Sequence, residues 1–265
     1  SDIDKRPGDP GDPSDPVKPD DTESLTYQDE NIRINIKKSR QYDTDIYVAE
    51  IYLSSIKYLR TAFASDTFGR NFRAKTSGMA ADNEAILAIN GDYYGARRQG
   101  FVLRNGLLYR DTARSEGNDD VLVINRDGSF RIANERKVPA ESLKADGAWQ
   151  ILTFGPALID NGEILEQVEN GATHALHHNP RTALGQISPF HYVFIVADGR
   201  TKESRGLTLP QLAQILSELD CSVAYNLDGG GSATMWFRGR LVNKPSDGKT
   251  AKERNVSDIV YIGHK

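Results

Sequence analysis

The sequence has few of the features that would stabilise a disulfide-linked, membrane-embedded or nucleic-acid-binding protein. It contains one cysteine, Cys221, in 265 residues, so a disulfide framework is excluded and stability must come from a hydrophobic core. No run of about 18 apolar residues is present, which excludes a transmembrane helix. No charged segment precedes a short apolar one, so we expect any export signal to have been removed. The net charge is −4, which excludes the basic surface typical of nucleic-acid binding.

Proline and acidic residues are concentrated in residues 1–24. Proline occupies every third position from Pro7 to Pro19, which predicts extended polyproline II conformation. Few apolar residues are available to offset the entropy of ordering. We therefore expect either a semi-rigid spacer or a disordered terminus. Eight acidic and three basic residues lie in this segment, which leaves a net charge of +1 for residues 25–265. A nearly neutral domain is compatible with an anionic substrate.

The remaining sequence, residues 25–265, is typical of a strand-rich α+β domain. Apolar and polar residues alternate in several segments, which indicates half-buried strands. Three dipeptides that favour tight turns separate apolar runs, and they predict three hairpins. These dipeptides are Asn105-Gly106, Asp127-Gly128 and Asn161-Gly162. We predict a single domain built on a mixed sheet with a few packed helices.

The clearest helix is predicted over residues 209–219, where five apolar residues form one stripe. Thr208 precedes it as N-cap, and Gln211 stands three residues later, which together predict a capping box. Shorter helices are predicted over 77–85 and 139–145. Cys221 starts an apolar strand and is interpreted as a small buried side chain.

Three apolar strands end in asparagine or aspartate followed closely by glycine. They cover residues 85–90, 192–197 and 222–227, and they precede Asp92, Asp198 and Asp228 respectively. Each pattern alone is also typical of an ordinary turn. If the strands share one sheet and one direction, their ends meet at one edge, where ligand sites are common.

The third strand end is the most informative, because three consecutive glycines follow Asp228. Each glycine costs about 0.5–1 kcal/mol in conformational entropy, and a solvent-exposed turn does not need three. We interpret residues 229–231 as backbone that approaches a ligand closely. In residues 179–185, NPRTALG, Arg181 stands where a turn enters a strand. Its guanidinium suits a phosphate or carboxylate, although a structural ion pair is the alternative.

Several common catalytic motifs are missing from the sequence. Residues 230–234 lack the last glycine of a nucleophile elbow, and neither a Walker P-loop nor a dinucleotide-binding fingerprint is present. His174, His177 and His178 have plausible metal spacing, but no HExxH motif or cysteine partner accompanies them. Surface histidines are the competing interpretation.

Five segments in order resemble motifs of the phosphodiester glycosidase family, also called the NAGPA-like domain. They are residues 90–94 (NGDYY), 179–185 (NPRTALG), 196–200 (VADGR), 206–213 (GLTLPQLA) and 226–232 (NLDGGGS). Residues 254–260 (RNVSDIV) are similar to the family's closing segment, so the resemblance covers roughly residues 80–262. One departure is Gln211, where the family commonly has Glu.

The resemblance implies an exported enzyme that hydrolyses a sugar-1-phosphodiester on cell-surface or exopolysaccharide glycans and leaves a phosphate monoester. A phosphate monoester is a good leaving group because its second pKa is about 6. Arg181 is expected to bind the developing phosphate charge, and Asp228 or Asp198 to act as nucleophile or base. The residues expected to be catalytic are Asp228, Asp198 and Arg181. The residues expected to bind substrate are Asn90, Asp92, Arg200, Asn226, Gly229, Gly230, Gly231 and Ser232. Three aromatic residues, Tyr93, Tyr94 and Trp236, are candidates for stacking on a sugar ring.

Three alternatives to a phosphodiester glycosidase remain open at this point. The same residues would suit a non-catalytic module that binds anionic glycans on a surface tether. A serine hydrolase would use Ser232 with a histidine. A divalent cation held by Asp92, Asp198 and Asp228 would assist phosphate departure, although no cofactor is required by the main hypothesis. The expected partner is a glycan or sugar phosphate, the expected oligomeric state is a monomer, and the expected location is extracellular or at the cell surface.

Overall fold

The fold is described from a computed structural model, which covers residues 25–169, 173–247 and 252–265. The proline-rich segment 1–24, for which a spacer is expected, lies outside these described residues. No helix within them is long and apolar enough to cross a membrane.

The described residues form twenty strands and four α-helices. The strands, in chain order, are β1 Leu25–Gln28, β2 Ile32–Gln41, β3 Thr44–Leu53, β4 Leu59–Phe63, β5 Ala74–Lys75, β6 Leu87–Asn90, β7 Val102–Arg104, β8 Leu107–Arg110, β9 Asp120–Asn125, β10 Phe130–Asn134, β11 Ala148–Leu152, β12 Ala157–Asp160, β13 Glu163–Ile164, β14 Arg181–Ser188, β15 His191–Ala197, β16 Val223–Asn226, β17 Met235–Phe237, β18 Arg240–Leu241, β19 Asn255–Val256 and β20 Asp258–Ile262. The helices are α1 Thr76–Asp82, α2 Ala140–Ala145, α3 Glu166–Glu169 and α4 Leu209–Glu218.

The strands are distributed over three larger sheets and one two-stranded ribbon. The largest sheet has the order β1-β2-β3-β15-β14-β16-β12-β13, and two five-stranded sheets have the orders β10-β9-β11-β7-β8 and β18-β17-β6-β20-β4. Every described strand pair is antiparallel. The predicted strand-rich α+β class is therefore confirmed, with the strands divided among several sheets.

The three predicted hairpins are present, at β7–β8, β9–β10 and β12–β13. In the first, Asn105 and Gly106 have φ of +50° and +80°, the left-handed values that a two-residue hairpin turn requires. The predicted capping box is also present, because the Thr208 hydroxyl accepts from the backbone N–H of Gln211 and the Gln211 side chain accepts from that of Thr208.

Both faces of the large sheet are covered by hydrophobic side chains. On one face, Phe194 and Tyr225 belong to a cluster that includes Ile89 and Leu122 from the two five-stranded sheets. On the other face, Ala183 and residues of the neighbouring strands pack against α4. Successive side chains of a strand point to opposite faces, so each residue of β14 and β15 is directed either to the other sheets or to α4.

Candidate active site

The ends of two strands in the large sheet meet the start of a third. Residue 181 pairs with residue 197, and residue 183 pairs with residue 226. Since β15 and β16 both run antiparallel to β14, both end at the edge where β14 begins. Arg181, Asp198 and Asp228 are thus brought to one edge of the sheet. The remaining predicted strand end, that of β6 before Asp92, belongs to a different sheet.

Asn90, at the end of β6, joins that sheet to the same edge. Its Nδ2 donates to the main-chain carbonyl oxygen of Asp228 at 2.6 Å. Its Oδ1 accepts from the Thr182 hydroxyl at 2.8 Å and from the Thr234 N–H at 3.2 Å. The Asn90 side chain is fully buried. It therefore positions the Asp228 backbone, and a direct bond from Asn90 to substrate stays a prediction.

The three glycines after Asp228 form a loop that other parts of the protein approach very closely. A Cβ on Gly229 would lie 2.6 Å from the Pro180 carbonyl oxygen. A Cβ on Gly230 would lie 3.1 Å from Arg200 Nη2. A Cβ on Gly231 would lie 2.8 Å from Arg254 Cζ. The loop is therefore flanked by two guanidinium groups and, at Gly231, by the Asp247 carboxylate, 2.6 Å from such a Cβ, and glycine is required here by these neighbouring protein atoms.

Only part of the glycine backbone is available to an anion. The Gly230 N–H, which has a φ of +59°, donates to the Pro180 carbonyl oxygen at 2.9 Å. The Gly229 N–H lowers the pKa of the Asp228 carboxyl by hydrogen bonding. Among the described residues, no main-chain carbonyl accepts from the Gly231 N–H. The contribution of Gly229, Gly230 and Gly231 to substrate binding stays a prediction.

Arg181 and Arg200 form a pair of like charges beside this loop. Arg181 Nε and Nη2 donate to the carbonyl oxygens of Leu207 and His177, at 2.9 and 2.8 Å. Arg200 donates to the side-chain oxygen of Asn179. Burial, together with the charge of Arg200, lowers the pKa of Arg181 to about 10. Neither arginine forms an ion pair with a carboxylate in the described ranges.

The backbone conformation of Arg200 determines where its guanidinium lies. Its φ is +61°, a left-handed value that costs free energy for residues with a side chain. The conformation places its exposed guanidinium against Gly230. Arg181 shares a face of β14 with Ala183, which packs on the α4 side, and its guanidinium bonds to the segments that contain Leu207 and His177, whereas the Arg200 guanidinium lies against Gly230.

Asp228 is half-buried and has a cationic environment. Burial raises the pKa of its carboxyl, and the Ser232 hydroxyl and the charge of Arg254 oppose that shift. Arg254 is itself paired with Asp247, with Nη2 to Oδ1 at 2.7 Å. Ser232 is buried, and its role in substrate binding stays a prediction.

Asp198 is more deeply buried, at 4% exposure. Its Oδ1 accepts from Asn243 Nδ2 and from the Lys244 N–H, both at 3.0 Å. Burial raises the pKa of the Asp198 carboxyl to about 6, and these two hydrogen bonds limit the shift. Asp198 consequently holds the segment that contains Asn243 against the end of β15, and a carboxyl with this pKa can exchange a proton near neutral pH.

Asp92 lies in a buried ionic cluster. Arg104 Nη2 contacts Asp92 Oδ2 at 2.9 Å and Asp258 Oδ2 at 3.0 Å. The Asp92 carboxylate also accepts from the N–H groups of Thr153 and Tyr94. With 0% exposure, Asp92 supports the loop after β6, and substrate binding by its side chain stays a prediction.

The remaining predicted binding residues differ in their exposure. Tyr94 and Trp236 are core side chains at 1% and 7% exposure, whereas Tyr93 is 38% exposed and available for stacking. Asn226 Nδ2 donates to the Gly155 carbonyl oxygen at 2.8 Å, while its buried Oδ1 has no partner among the described residues. Cys221 is buried, as predicted.

The geometry gives little support to two alternatives. Within the described ranges, no group of three or more His, Cys, Asp or Glu side chains is arranged to hold a metal ion, so Asp92, Asp198 and Asp228 do not form one cluster. His178, His191 and His264 contact Gly206, Glu50 and Asp29, and none of these contacts connects a histidine to Ser232 as a general base would require.

Some residues at this edge were not among the predicted site residues. Arg254, Asp247, Asn243 and Arg97 all act on the Asp228 or Asp198 region. Arg254 could have been recognised from the sequence, because it begins the segment 254–260, which resembles the family's last motif. Arg97 and Asn243 stand in no recognisable pattern.

The edge with Asp198, Asp228, the arginines and the glycine loop is the candidate site, and comparisons with known proteins identify the family. The sequence profile of the phosphodiester glycosidase family (NAGPA) matches residues 83–263. The chain therefore belongs to the phosphodiester glycosidase family, whose members are hydrolases. The predicted recognition and fold are both confirmed.

Relatives of this chain occur in bacteria and mammals. The SPbeta prophage-derived uncharacterized protein YomE of Bacillus subtilis is 31% identical over 204 residues, which are 76% of this chain and 31% of that protein. The N-acetylglucosamine-1-phosphodiester alpha-N-acetylglucosaminidase of Bos taurus is 45% identical over 136 residues, which are 47% of this chain and 25% of that protein. The matched part of the chain thus spans less than a third of the length of these relatives.

Solved structures share the fold at lower identity. The catalytic domain of the zebrafish N-acetylglucosamine-1-phosphodiester alpha-N-acetylglucosaminidase, auto-inhibited by its pro-peptide, has a TM-score of 0.69 and 21% identity, covering 92% of this chain and 88% of that one. A hypothetical protein from Synechocystis has a TM-score of 0.61 and 17% identity, covering 92% and 64%.

Proposed function

We propose that this protein hydrolyses the bond between a sugar's anomeric carbon and the oxygen of a phosphodiester. The observation that supports this most directly is the pair Arg181 and Arg200, which lies at the glycine loop without a carboxylate partner in the described part of the chain. Two neighbouring guanidinium groups favour an anion with several oxygens. A phosphate group at this position would have Asp228 close by.

The expected reaction consumes one water molecule. The bond from the anomeric carbon to the phosphate oxygen breaks, and its electron pair leaves with the phosphate monoester. The water oxygen bonds to the anomeric carbon and loses a proton. Arg181 and Arg200 stabilise the charge that develops on the leaving phosphate, which reduces the need for a strong general acid. The charge of Arg254 favours the ionised form of Asp228 against the effect of burial, which raises the pKa of that carboxyl.

Asp228 is assigned the carboxylate role at the sugar. It is less buried than Asp198, and Arg254 and Arg97 favour its charged form. It can either attack the anomeric carbon or take the proton of the attacking water. Asp198, whose carboxyl is bound by Asn243 and Lys244, supports the site and is the candidate for proton exchange near neutral pH.

The test is release of free sugar from an N-acetylglucosamine-1-phosphodiester with a methyl glycoside as acceptor. This substrate class is the one that the names of the mammalian relatives describe. We expect wild type to release N-acetylglucosamine and the acceptor phosphate in equal amounts. Asp228→Asn should lower the rate about 10²–10⁴-fold, while Asp82→Asn, at an exposed position of α1, should leave it unchanged.

One result would contradict the role of Asp228, and another would contradict the hydrolytic function. Retained activity in folded Asp228→Asn would remove the role of that carboxylate. Tight binding of the diester by wild type without any product would support the alternative of an anionic-glycan binding module. A chelator arm tests the cation question, because activity that is unaffected by the chelator excludes a required exchangeable metal.

We also propose that the protein acts outside the cell on cell-surface or extracellular glycans. The family resemblance and the proline-rich composition of residues 1–24 support this location. Fractionation of the native host, with detection of the protein by antibody, tests it. Detection only in the cytoplasmic fraction would overturn it.

A further inference from the structure

A cleft with a cationic wall lies next to the candidate active site. Its volume is about 690 Å³, which is within the range of ligand pockets and large enough for a sugar unit. The wall is formed mainly by Arg97, Arg98 and Arg114, and by the segments around Asn118 and Phe154. None of these residues belongs to the motifs recognised in the sequence.

Two observations place the cleft near Asp228. Gly155, which lines it, exchanges two hydrogen bonds with Asn226, the last residue of β16. Asp228 follows Asn226 by two residues. The charge of Arg97 also lowers the pKa of the Asp228 carboxyl. The cleft and Asp228 therefore lie close enough for the charge of Arg97 to act on the Asp228 carboxyl.

The charges of the wall are only partly neutralised. Arg114 is paired with Glu135, and it also donates to the carbonyl oxygens of Phe154 and Asp120. Arg97 and Arg98 form no ion pair with any carboxylate of residues 25–169, 173–247 and 252–265. The one acidic residue in the lining is Glu116. The free charge of the cleft is consequently positive.

Arg97 is held in place, whereas Arg98 is exposed. Arg97 Nη1 donates to the Thr153 carbonyl oxygen at 2.9 Å, and its guanidinium lies 5.1 Å from the centre of the Phe154 ring. These contacts are both to uncharged groups, so the remaining donors of Arg97 are available to a ligand. Arg98 lies beside it on the open side of the cleft.

We propose that this cleft is an anion subsite that selects substrates with a second negatively charged group next to the scissile phosphodiester. The second group is a carboxylate or a phosphate on the neighbouring sugar. The inference rests on the proposed function, and it specifies the substrate class as a polyanionic glycan. The scissile phosphate itself is assigned to Arg181 and Arg200 at the glycine loop.

The test compares two diesters that differ only at carbon 5 of the acceptor sugar, with a hydroxymethyl group in one and a carboxylate in the other. We expect wild type to have a KM about tenfold lower for the acidic acceptor, as a charge-assisted hydrogen bond implies. Arg98→Gln and Arg97→Gln should each reduce that preference to about twofold or less. Arg240→Gln, at an exposed arginine of β18, is the matched control and should retain the full preference.

Two additional measurements distinguish the possible explanations of such a preference. A third diester, with a phosphate on the acceptor, distinguishes selection of phosphate from selection of carboxylate. Raising the salt concentration should weaken the preference, because exposed charges are screened. Equal KM values for acidic and neutral acceptors in wild type would overturn the subsite. So would an equal change for both acceptors in Arg98→Gln.

Failure of the subsite can be distinguished from failure of the catalytic function. If neither diester is cleaved, the proposed function is wrong, and calorimetric binding of the same two diesters still tests the cleft. Tighter binding of the acidic diester, lost in Arg98→Gln and kept in Arg240→Gln, would support the subsite without catalysis. Equal affinity for both diesters would overturn it.

Discussion

Asp198 combines deep burial with a titratable charge, and its position has a consequence for stability. Its carboxyl has a pKa of about 6 in the folded protein, against about 3.9 in an unfolded chain. The folded state therefore binds the proton more tightly than the unfolded state does. The contribution of Asp198 to the free energy of unfolding is most favourable when its carboxyl is protonated, and this contribution falls as the pH rises from about 4 through 6.

We predict that Asp198→Asn stabilises the fold at neutral pH. The asparagine oxygen can still accept from Asn243 and Lys244, which both contact Oδ1 of Asp198. The variant no longer buries a charge. Its free energy of unfolding should exceed that of wild type by about 1–3 kcal/mol at pH 7.5, and by nearly zero at pH 4. Urea unfolding at both pH values measures this difference.

Asp82→Asn serves as the control for this prediction, because Asp82 is exposed and its replacement should change stability little at either pH. A stability difference for Asp198→Asn that is the same at pH 4 and pH 7.5 would show that burial of charge is not the cause. Sugar release by the same variant reports separately on the proposed proton exchange.

The glycines show what single residues reveal from sequence and what they do not. The three glycines predict a close approach, and the structure has one at each position. The approaching groups are Pro180, Arg200 and Arg254, which lie between about 20 and 50 positions away along the chain. A local pattern contains no information about which distant group will approach, so these partners could not be predicted.

At the scale of elements, α4 is the part that local sequence determines most fully. Its N-terminus begins with the reciprocal hydrogen bonds of Thr208 and Gln211, and its apolar stripe packs on the large sheet. The helix also follows Leu207, whose carbonyl oxygen accepts from Arg181. The cap consequently supports both the helix and the segment that holds Arg181.

We predict that Thr208→Ala destabilises the protein by about 1 kcal/mol, because the hydroxyl that accepts from the Gln211 N–H is lost. Thr208→Ser keeps that hydroxyl and should cost much less. Thermal or urea unfolding of both variants measures the effect. Equal losses in the two would show that the methyl group, and not the cap, provides the stabilisation.

Gln211→Glu tests the departure from the family at the same element. Glutamate retains an oxygen that accepts from the Thr208 N–H, and it places a negative charge near the helix N-terminus. This charge should add about 0.3–1 kcal/mol of stability. If Gln211 acts only as a cap, the rate of sugar release stays unchanged. A large change in rate would assign Gln211 a role in the site.

Hairpins and the capping box were predictable because they depend on residues a few positions apart. The meeting of strand ends depends on contacts between distant segments, and only part of it was predicted. β15 and β16 end together in one sheet, whereas β6 reaches the same edge from another sheet through Asn90. The polar ends of these strands could be recognised, but their assignment to sheets could not.

At the scale of the whole molecule, one buried ionic cluster connects the two five-stranded sheets. Asp92 follows β6, Asp258 begins β20, and Arg104 ends β7 of the other sheet. All three side chains are at most 2% exposed. Burial and the neighbouring Asp92 raise the pKa of Asp258 to about 8. For Asp92, burial acts in the same direction, but the charge of Arg104 helps to lower the pKa below its ordinary value. Near neutral pH one negative charge therefore balances the guanidinium.

We predict that Arg104→Met destabilises the protein by about 3–5 kcal/mol at pH 8, because the carboxylate it leaves buried loses the counter-charge in direct contact with it. The loss should be smaller at pH 5, where both carboxyls can bind protons. Arg104→Met combined with Asp92→Asn removes the unpaired charge and should recover part of the stability at pH 8, while Arg240→Met should change little. Urea unfolding at the two pH values measures these differences. A loss of stability that is independent of pH and unaffected by Asp92→Asn would mean that Arg104 joins the sheets by packing and by its bonds to main-chain carbonyls. In that case the orientation of the loop after β6 would not depend on charge balance.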